Sequence, residues 1–327
     1  MKDSSQIGIL GLGAYVPKRV LTNLDLEKMV DTSDEWIVTR TGIKQRHLAS
    51  PGEASSDLGV KAAKKALEDA KLKPEEIDAI ITATLSPDHI FPSTACLIQG
   101  ELGAENAAAF DLGAGCSGFI YACTVAYGLV KAGMEKVLVI GTETISRFVN
   151  WQERSTCVLF GDAAGAAVIG RVKEGGIYGW DLGADGRGHD LLKINAGGSR
   201  EPLTAENIAS NRQFLSMSGP EVFRFAVRII PKTGKKALEK ANLEIEDIDW
   251  LIPHQANSRI IEAAIESLGI ERDKVFVNLE RYGNTSAASI PLAWTEGVLE
   301  GKIKRGDKLL LIGFGAGLTW AAMVLEY

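Results

Sequence analysis

The chain has 327 residues, 46% of them hydrophobic and 24% charged, which is enough to bury one large or two ordinary domain cores. Its formal net charge of −6 argues against a nucleic-acid or anionic-membrane surface as the main partner. No apolar run approaches the length of a membrane span. The stretch from Ile7 to Val16 is too broken by glycine for a signal peptide, so it reads as a first strand and the protein is expected to be cytoplasmic.

Cysteines 96, 116, 123 and 157 show no CxxC or zinc-ribbon spacing, so no metal is expected. Cys116 and Cys123 would lie about two helical turns apart, roughly 10 Å, too far for a disulfide, and reduced thiols fit best.

The opening Gly8-Ile-Leu-Gly-Leu-Gly13 lacks the third glycine of a dinucleotide fingerprint, and Pro17 follows where a helix should start. A short capped helix is expected over Thr22 to Val30. Next, Thr32-Ser-Asp-Glu-Trp-Ile-Val-Thr-Arg-Thr-Gly42 places Trp36 and Arg40 four residues apart on one helix face. An indole and a guanidinium so placed could meet a flat anionic ligand, although a half-buried aromatic beside a solvated charge has the same pattern. A helix from Ser55 to Ala70 leads through Pro74 to a strand from Ile77 to Thr84.

Ala107-Ala-Ala-Phe-Asp-Leu112 reads as a buried strand, Gly113 and Gly115 as a sharp turn, and Ser117 to about Lys131 as a helix. Cys116 thus sits where a strand ends and a helix begins. Free N–H groups and the positive helix end favour a thiolate there, although an unpaired cysteine is also a common small core residue. Phe160 to Ile169 reads as a close-packed strand and turn, and glycine-rich 172–217 as irregular loops over a site. Pro220 suits the first turn of a long helix reaching Ala241. His254 follows the short apolar strand Trp250-Leu-Ile-Pro253 and precedes a helix, better placed than His47, His89 or His189. Asn284 lies in the glycine turn of Arg281-Tyr-Gly-Asn-Thr-Ser-Ala-Ala-Ser289, where a plain turn or cap role would also account for it.

The chain also repeats itself. Residues 64–78 can be laid on 235–249 at a constant offset of 171, and Lys136-Val-Leu-Val-Ile-Gly141 echoes Lys308-Leu-Leu-Leu-Ile-Gly313 at an offset of 172. Two similar α/β halves are therefore expected, with a site between them near strand ends. The boundaries drawn are 1–171 for the half with the cysteine, 172–217 for the connection, and 218–327 for the half with the histidine and asparagine.

Cys116, His254 and Asn284, each at a strand-to-helix junction, make a nucleophile with two polar partners. The order Cys, His, Asn also occurs in papain-like proteases. Those carry a Cys-Gly-Ser-Cys-Trp type of signature near the mature N-terminus, whereas here Gly115-Cys-Ser-Gly-Phe119 lies mid-chain in a duplicated architecture. On chemistry alone a cysteine-dependent thioester hydrolase stays open.

The motifs Thr32 to Ile43, Asp111-Leu-Gly-Ala-Gly-Cys-Ser-Gly-Phe119, Phe160-Gly-Asp-Ala-Ala-Gly165, Pro253-His-Gln-Ala-Asn257, Tyr282-Gly-Asn-Thr-Ser-Ala-Ala-Ser289 and Gly313-Phe-Gly-Ala-Gly-Leu-Thr-Trp320 resemble those of the β-ketoacyl-acyl-carrier-protein synthase III family, in family order over nearly the whole chain. The resemblance implies an α/β thiolase-like fold, two duplicated βαβαβαββ halves with mixed five-stranded sheets in an α-β-α-β-α arrangement, in a homodimer. It implies an acyltransferase that starts type II fatty-acid synthesis by condensing an acyl-CoA primer, with acetyl-CoA the first expectation, with malonyl-acyl-carrier protein. Coenzyme A enters as part of a substrate and no cofactor is implied. Cys116 would carry the acyl group, its helix position standing in for a dedicated base. Backbone N–H groups of Cys116 and Ala316 would hold the oxyanion, with Ala316 in a turn where many members have glycine. His254 and Asn284 would stabilise the enolate left by malonyl decarboxylation. Trp36 and Arg154 would hold the adenine, with Arg40 and Arg259 near the phosphates; Arg224 and Arg259 would dock the carrier protein, and Phe91 would close the partner's acyl pocket.

Overall fold

A computed structural model describes residues 6–327 and shows the internal repeat as a repeat of architecture. In the first half Gln6–Tyr15, Ala163–Val172, Lys136–Glu143, Ala79–Ala83 and Ala108–Leu112 form a five-stranded sheet in that spatial order. Its first two pairings are antiparallel and its last two parallel. In the second half Gly176–Ala184, Thr319–Glu326, Lys308–Gly315 and Trp250–Pro253 repeat the order and the directions. The fifth position there is held only by a single parallel bridge from Val275 to Leu251, so this sheet has four ladder strands where five are expected.

Two helices lie between the sheets, Gly118–Lys131 and Ser289–Leu299, whose first residues are again 171 apart. Both are apolar nearly all round: Phe119, Ile120, Ala122, Cys123 and Ala126 are buried on one, and Ile290, Leu292, Ala293 and Trp294 on the other. A helix with that pattern is stable only when both sides are covered. They share one core with strand residues of both sheets, among them Val139, Ile81, Leu311 and Met323. The outer helices are one-sided. Ser55–Ala70 buries Leu58, Ala62, Ala63, Ala66 and Leu67 against the first sheet, and Gly219–Ala241 buries Val222, Phe225, Ala226, Ile229 and Ile230 against the second. The layers therefore run α-β-α-β-α. Among the described residues no helix is long and apolar enough to cross a membrane.

Two expectations need correction. The run ending at Leu112 is a strand but not a buried one: Ala108–Leu112 is the sheet edge, and Phe110 is exposed. Its apolar composition comes from a face that the rest of this chain leaves uncovered. The stretch 172–217 is not all loop, because Gly176–Ala184 is an inner-sheet strand, and Leu192–Ile194 pairs with Leu215–Met217 beside the site. Glycines hid the first of these. Gly179 is required because a Cβ there would lie 2.7 Å from the Ala241 amide nitrogen of the covering helix.

The halves meet backbone to backbone where the turn Ser286–Ala288 lies on the strand Lys136–Glu143. A Cβ on Gly141 would stand 2.4 Å from the Ala287 carbonyl oxygen. Gly141→Ala should therefore cost about 1–3 kcal/mol and lower the melting temperature by several degrees. An unchanged thermal transition would show that the Ala287 turn moves aside freely.

Candidate active site

Cys116 lies in a single 3-10 turn, Gly115–Ser117, that joins the edge strand to the helix starting at Gly118. Gly115 has φ +57°, a conformation that disfavours a side chain, and a Cβ on it would lie 2.6 Å from the Ala316 nitrogen. From the other side, a Cβ on Gly315 would lie 2.3 Å from the Cys116 nitrogen. The end of the strand Lys308–Gly315 thus presses on the nucleophile turn. The Ser117 and Thr319 hydroxyls reinforce the contact, standing 2.9 Å apart and 2.7 and 2.8 Å from the Ala114 carbonyl oxygen.

His254 follows the strand Trp250–Pro253, with its backbone N–H on the Ile312 carbonyl at 2.7 Å. Its ring is buried, with Nδ1 2.7 Å from Ser289 Oγ and the ring edge-on to Phe314 at 5.6 Å. Burial lowers its pKa to about 3, so the imidazole is neutral. Asn284 is anchored through its backbone, donating to the Leu159 carbonyl at 2.9 Å and accepting from the Gly161 N–H at 3.0 Å. Its side-chain Oδ1 accepts from the Ser286 N–H at 2.9 Å, which leaves the NH2 group to serve the cavity.

One cavity of about 540 Å³ gathers most of the residues singled out in the sequence. Cys116, His254 and Asn284 line it and are buried; Trp36 is half-buried, and Arg40, Arg224 and Arg259 are exposed. It therefore grades from a buried end without arginines to a cationic one, and its size is that of a small-molecule site. Cys116 also borders a second cavity of about 270 Å³, with Ala316 and the apolar side chains of Leu85, Ile145, Phe160, Leu192 and Leu215. Two of the expected residues lie elsewhere. Arg154 is not on either wall: its guanidinium sits over the Trp36 ring at 4.7 Å and donates to the Asp31 carbonyl oxygen at 2.8 Å. Phe91 is 84% exposed and reaches neither cavity. Arg224 pairs with Glu221 at 2.8 Å, and Arg259 lies over the Phe223 ring at 5.6 Å.

Burial works against the thiolate that the helix end favours. It pushes the Cys116 thiol up to about 12; a hydrogen bond with Ser286 lowers it, the nearby Glu143 raises it, and the residue's own N–H lowers it. Glu143 and Ser286 were missed in the sequence. Glu143 is fully buried, accepts from Ser86 Oγ at 2.6 Å and from Ser286 Oγ at 2.9 Å, and its carboxyl is held above the ordinary range by burial. Nothing in the sequence marks Glu143, which ends an apolar strand, whereas Ser286 stood within the Asn284 motif. Among the described residues no group of three or more His, Cys, Asp or Glu is placed to hold a metal ion.

Comparison with known proteins places this geometry. Family models for 3-oxoacyl-[acyl-carrier-protein] synthase III match residues 110–186, and for its C-terminal part residues 238–327. The β-ketoacyl-[acyl-carrier-protein] synthase III of Caldanaerobacter subterraneus is 58% identical over 100% of this chain and 99% of its own length. The crystal structure of 3-oxoacyl-[acyl-carrier-protein] synthase III from Aquifex aeolicus superposes with a TM-score of 0.91 at 49% identity, covering 98% of this chain and 100% of that one. That from Thermus thermophilus superposes with a TM-score of 0.91 at 50% identity, covering 98% and 99%. Matched over nearly its whole length in sequence and in its thiolase-like layers, the chain belongs to the β-ketoacyl-[acyl-carrier-protein] synthase III family of condensing acyltransferases.

Proposed function

We propose that this chain starts fatty-acid synthesis in the cytoplasm, transferring an acyl group from acyl-CoA to Cys116 and condensing it with malonyl-acyl-carrier protein. The observation that carries the reading is one cavity lined at once by a buried thiol, a neutral imidazole and a carboxamide, with arginines along its exposed part. In the first step the Cys116 sulfur bonds to the acyl carbon, the bond to coenzyme A breaks, and the thiol proton ends on the departing sulfur. The N–H groups of Cys116 and Ala316 suit the oxyanion; that of Ala316 has no intramolecular partner among the described residues. In the second step the malonyl thioester loses carbon dioxide and its enolate carbon attacks the acyl-cysteine. The Cys116 sulfur leaves and takes up one proton.

The enolate oxygen needs preformed donors, and His254 and Asn284 can serve without either carrying a charge. A neutral His254 also makes this step insensitive to imidazole titration between about pH 5 and 8. The apolar 270 Å³ cavity beyond Cys116 suits a short acyl chain, acetyl first. The chemistry calls on thioester substrates and on no cofactor.

Radiolabelled acetyl-CoA should label Cys116, and malonyl-acyl-carrier protein should discharge the label as a ketoacyl product. His254→Ala and Asn284→Ala should still be labelled, but should lose malonyl decarboxylation by about a hundredfold or more. Cys116→Ala should do the reverse. Discharge mainly to water would favour a thioester hydrolase, and loss of labelling in His254→Ala would make the imidazole the base for the thiol.

Trp36 and the arginines around it suit the nucleotide of coenzyme A, while Arg224 and Arg259 offer cations to an acidic carrier protein. Stacking on an aromatic ring is worth roughly 1–3 kcal/mol. Trp36→Ala or Arg154→Ala should therefore raise the KM for acyl-CoA about tenfold while leaving kcat nearly unchanged. An acyl-N-acetylcysteamine, which lacks the nucleotide, should be used equally by both variants and the parent; equal slowing with both substrates would make Trp36 structural.

The uncovered edge strand Ala108–Leu112, with Phe110 exposed and Ile90 and Phe91 nearly bare, supports a homodimer in which Phe91 meets the partner's acyl pocket. Light scattering should give twice the 35.1 kDa chain mass, and Phe110→Asp should shift the protein toward one chain. A monomeric parent protein would dismiss this arrangement.

A further inference from the structure

Two serines three residues apart, Ser286 and Ser289, flank the same turn and face different partners. Ser286 bridges toward Cys116 and Glu143, whereas the Ser289 hydroxyl meets His254 Nδ1 at 2.7 Å. We infer that Ser289 is a positioning residue, whose hydroxyl donates to His254 Nδ1 and so keeps the single imidazole proton on Nε2, toward the substrate. The inference deepens the proposed function, since it rests on reading His254 as the enolate donor.

The hydrogen-bond inventory favours that direction over its reverse. A neutral imidazole has one N–H, and the partner of one nitrogen decides which of the two carries it. The Ser289 backbone N–H is engaged with the Ser286 carbonyl oxygen, and among the described residues the hydroxyl has no hydrogen-bond partner other than His254. If Nδ1 carried the proton, the Ser289 hydroxyl would accept it, and its own hydrogen would point into a fully packed interior without an acceptor. If Ser289 donates, both groups are satisfied and no buried donor is left over. Phe314, the ring nearest His254, presents no hydrogen-bonding atom that could set the tautomer instead. The other tautomer would aim an Nε2 lone pair at the negatively charged enolate oxygen and repel it.

The test uses the full-length protein with nitrogen-15 histidine. Only four histidines are present, and the His254 signals are those that vanish in His254→Ala. The parent protein should show the Nε2–H tautomer at His254, and Ser289→Ala should show Nδ1–H or a mixture. In the same variant malonyl decarboxylation should fall about ten- to a hundredfold, acetyl labelling of Cys116 should persist, and Ser289→Thr should restore most of the lost rate. An Nδ1–H tautomer in the parent overturns the inference, whether or not the protein decarboxylates malonyl thioesters. Equal slowing of labelling and decarboxylation with an unchanged tautomer in a normally melting Ser289→Ala also overturns it, for Ser289 would then be structural. Failure of the parent to decarboxylate malonyl thioesters counts against the proposed function, while the tautomer still decides the role of Ser289.

Discussion

Everything at the site depends on one steric constraint, the pressing of Gly315 and Ala316 onto the backbone of Cys116. Each half of the molecule supplies an incomplete set of groups: the first has the thiol, the second the imidazole and the carboxamide. They become one site only because two chain segments about 200 residues apart in sequence touch with no side chain between them. The hydroxyls of Ser117 and Thr319, converging on one carbonyl, tie the same junction. A close-packed interior transmits small shifts instead of absorbing them, so the geometry of the three groups is set by how the halves pack.

The same packing fixes the electrostatics. Cys116 and His254 are both buried, and desolvation drives each toward its uncharged form, the thiol upward and the imidazole downward in pKa. Neither the thiol nor the imidazole therefore brings a charge to the buried end, and fixed dipoles act there at low dielectric, where they are strongest. The exposed part is built oppositely, with arginines in solvent, where charge is inexpensive but screened.

Much of this was legible in the sequence, for definable reasons. The repeat exposed the duplicated halves because helix and strand patterns survive as periodicities, and the junction positions of Cys116 and His254 follow from strand runs meeting turn residues, whereas Asn284 lies not after a strand but between the helical turns Leu279–Tyr282 and Ser286–Ala288. Gly176–Ala184 was not legible, since its strand character comes from pairing with Thr319–Glu326 rather than from its glycine-rich composition. The edge character of Ala108–Leu112 was hidden too, because an apolar strand reads alike whether its own chain covers it or not. Glu143 could not be found at all. A glutamate at a strand end is usually solvated, and only the loops from residues 84–86 and 286 that close over it make it a buried acid.

The stacking of Arg154 on Trp36 has a consequence for how tightly this surface can hold a flat ligand. The guanidinium carbon stands 4.7 Å from the ring centre, whereas a planar group sandwiched between the two needs about 7 Å, twice an ordinary van der Waals contact. The slot is therefore occupied by the chain's own cation, tethered to the Asp31 carbonyl, and a guest has to exchange one stack for another. Opened to that width, the slot offers a guest the ring on one face and the guanidinium on the other, so what the guest gives up is the direct stack and what it gains is a contact on each side. The width of the slot is then set by the guest that fills it.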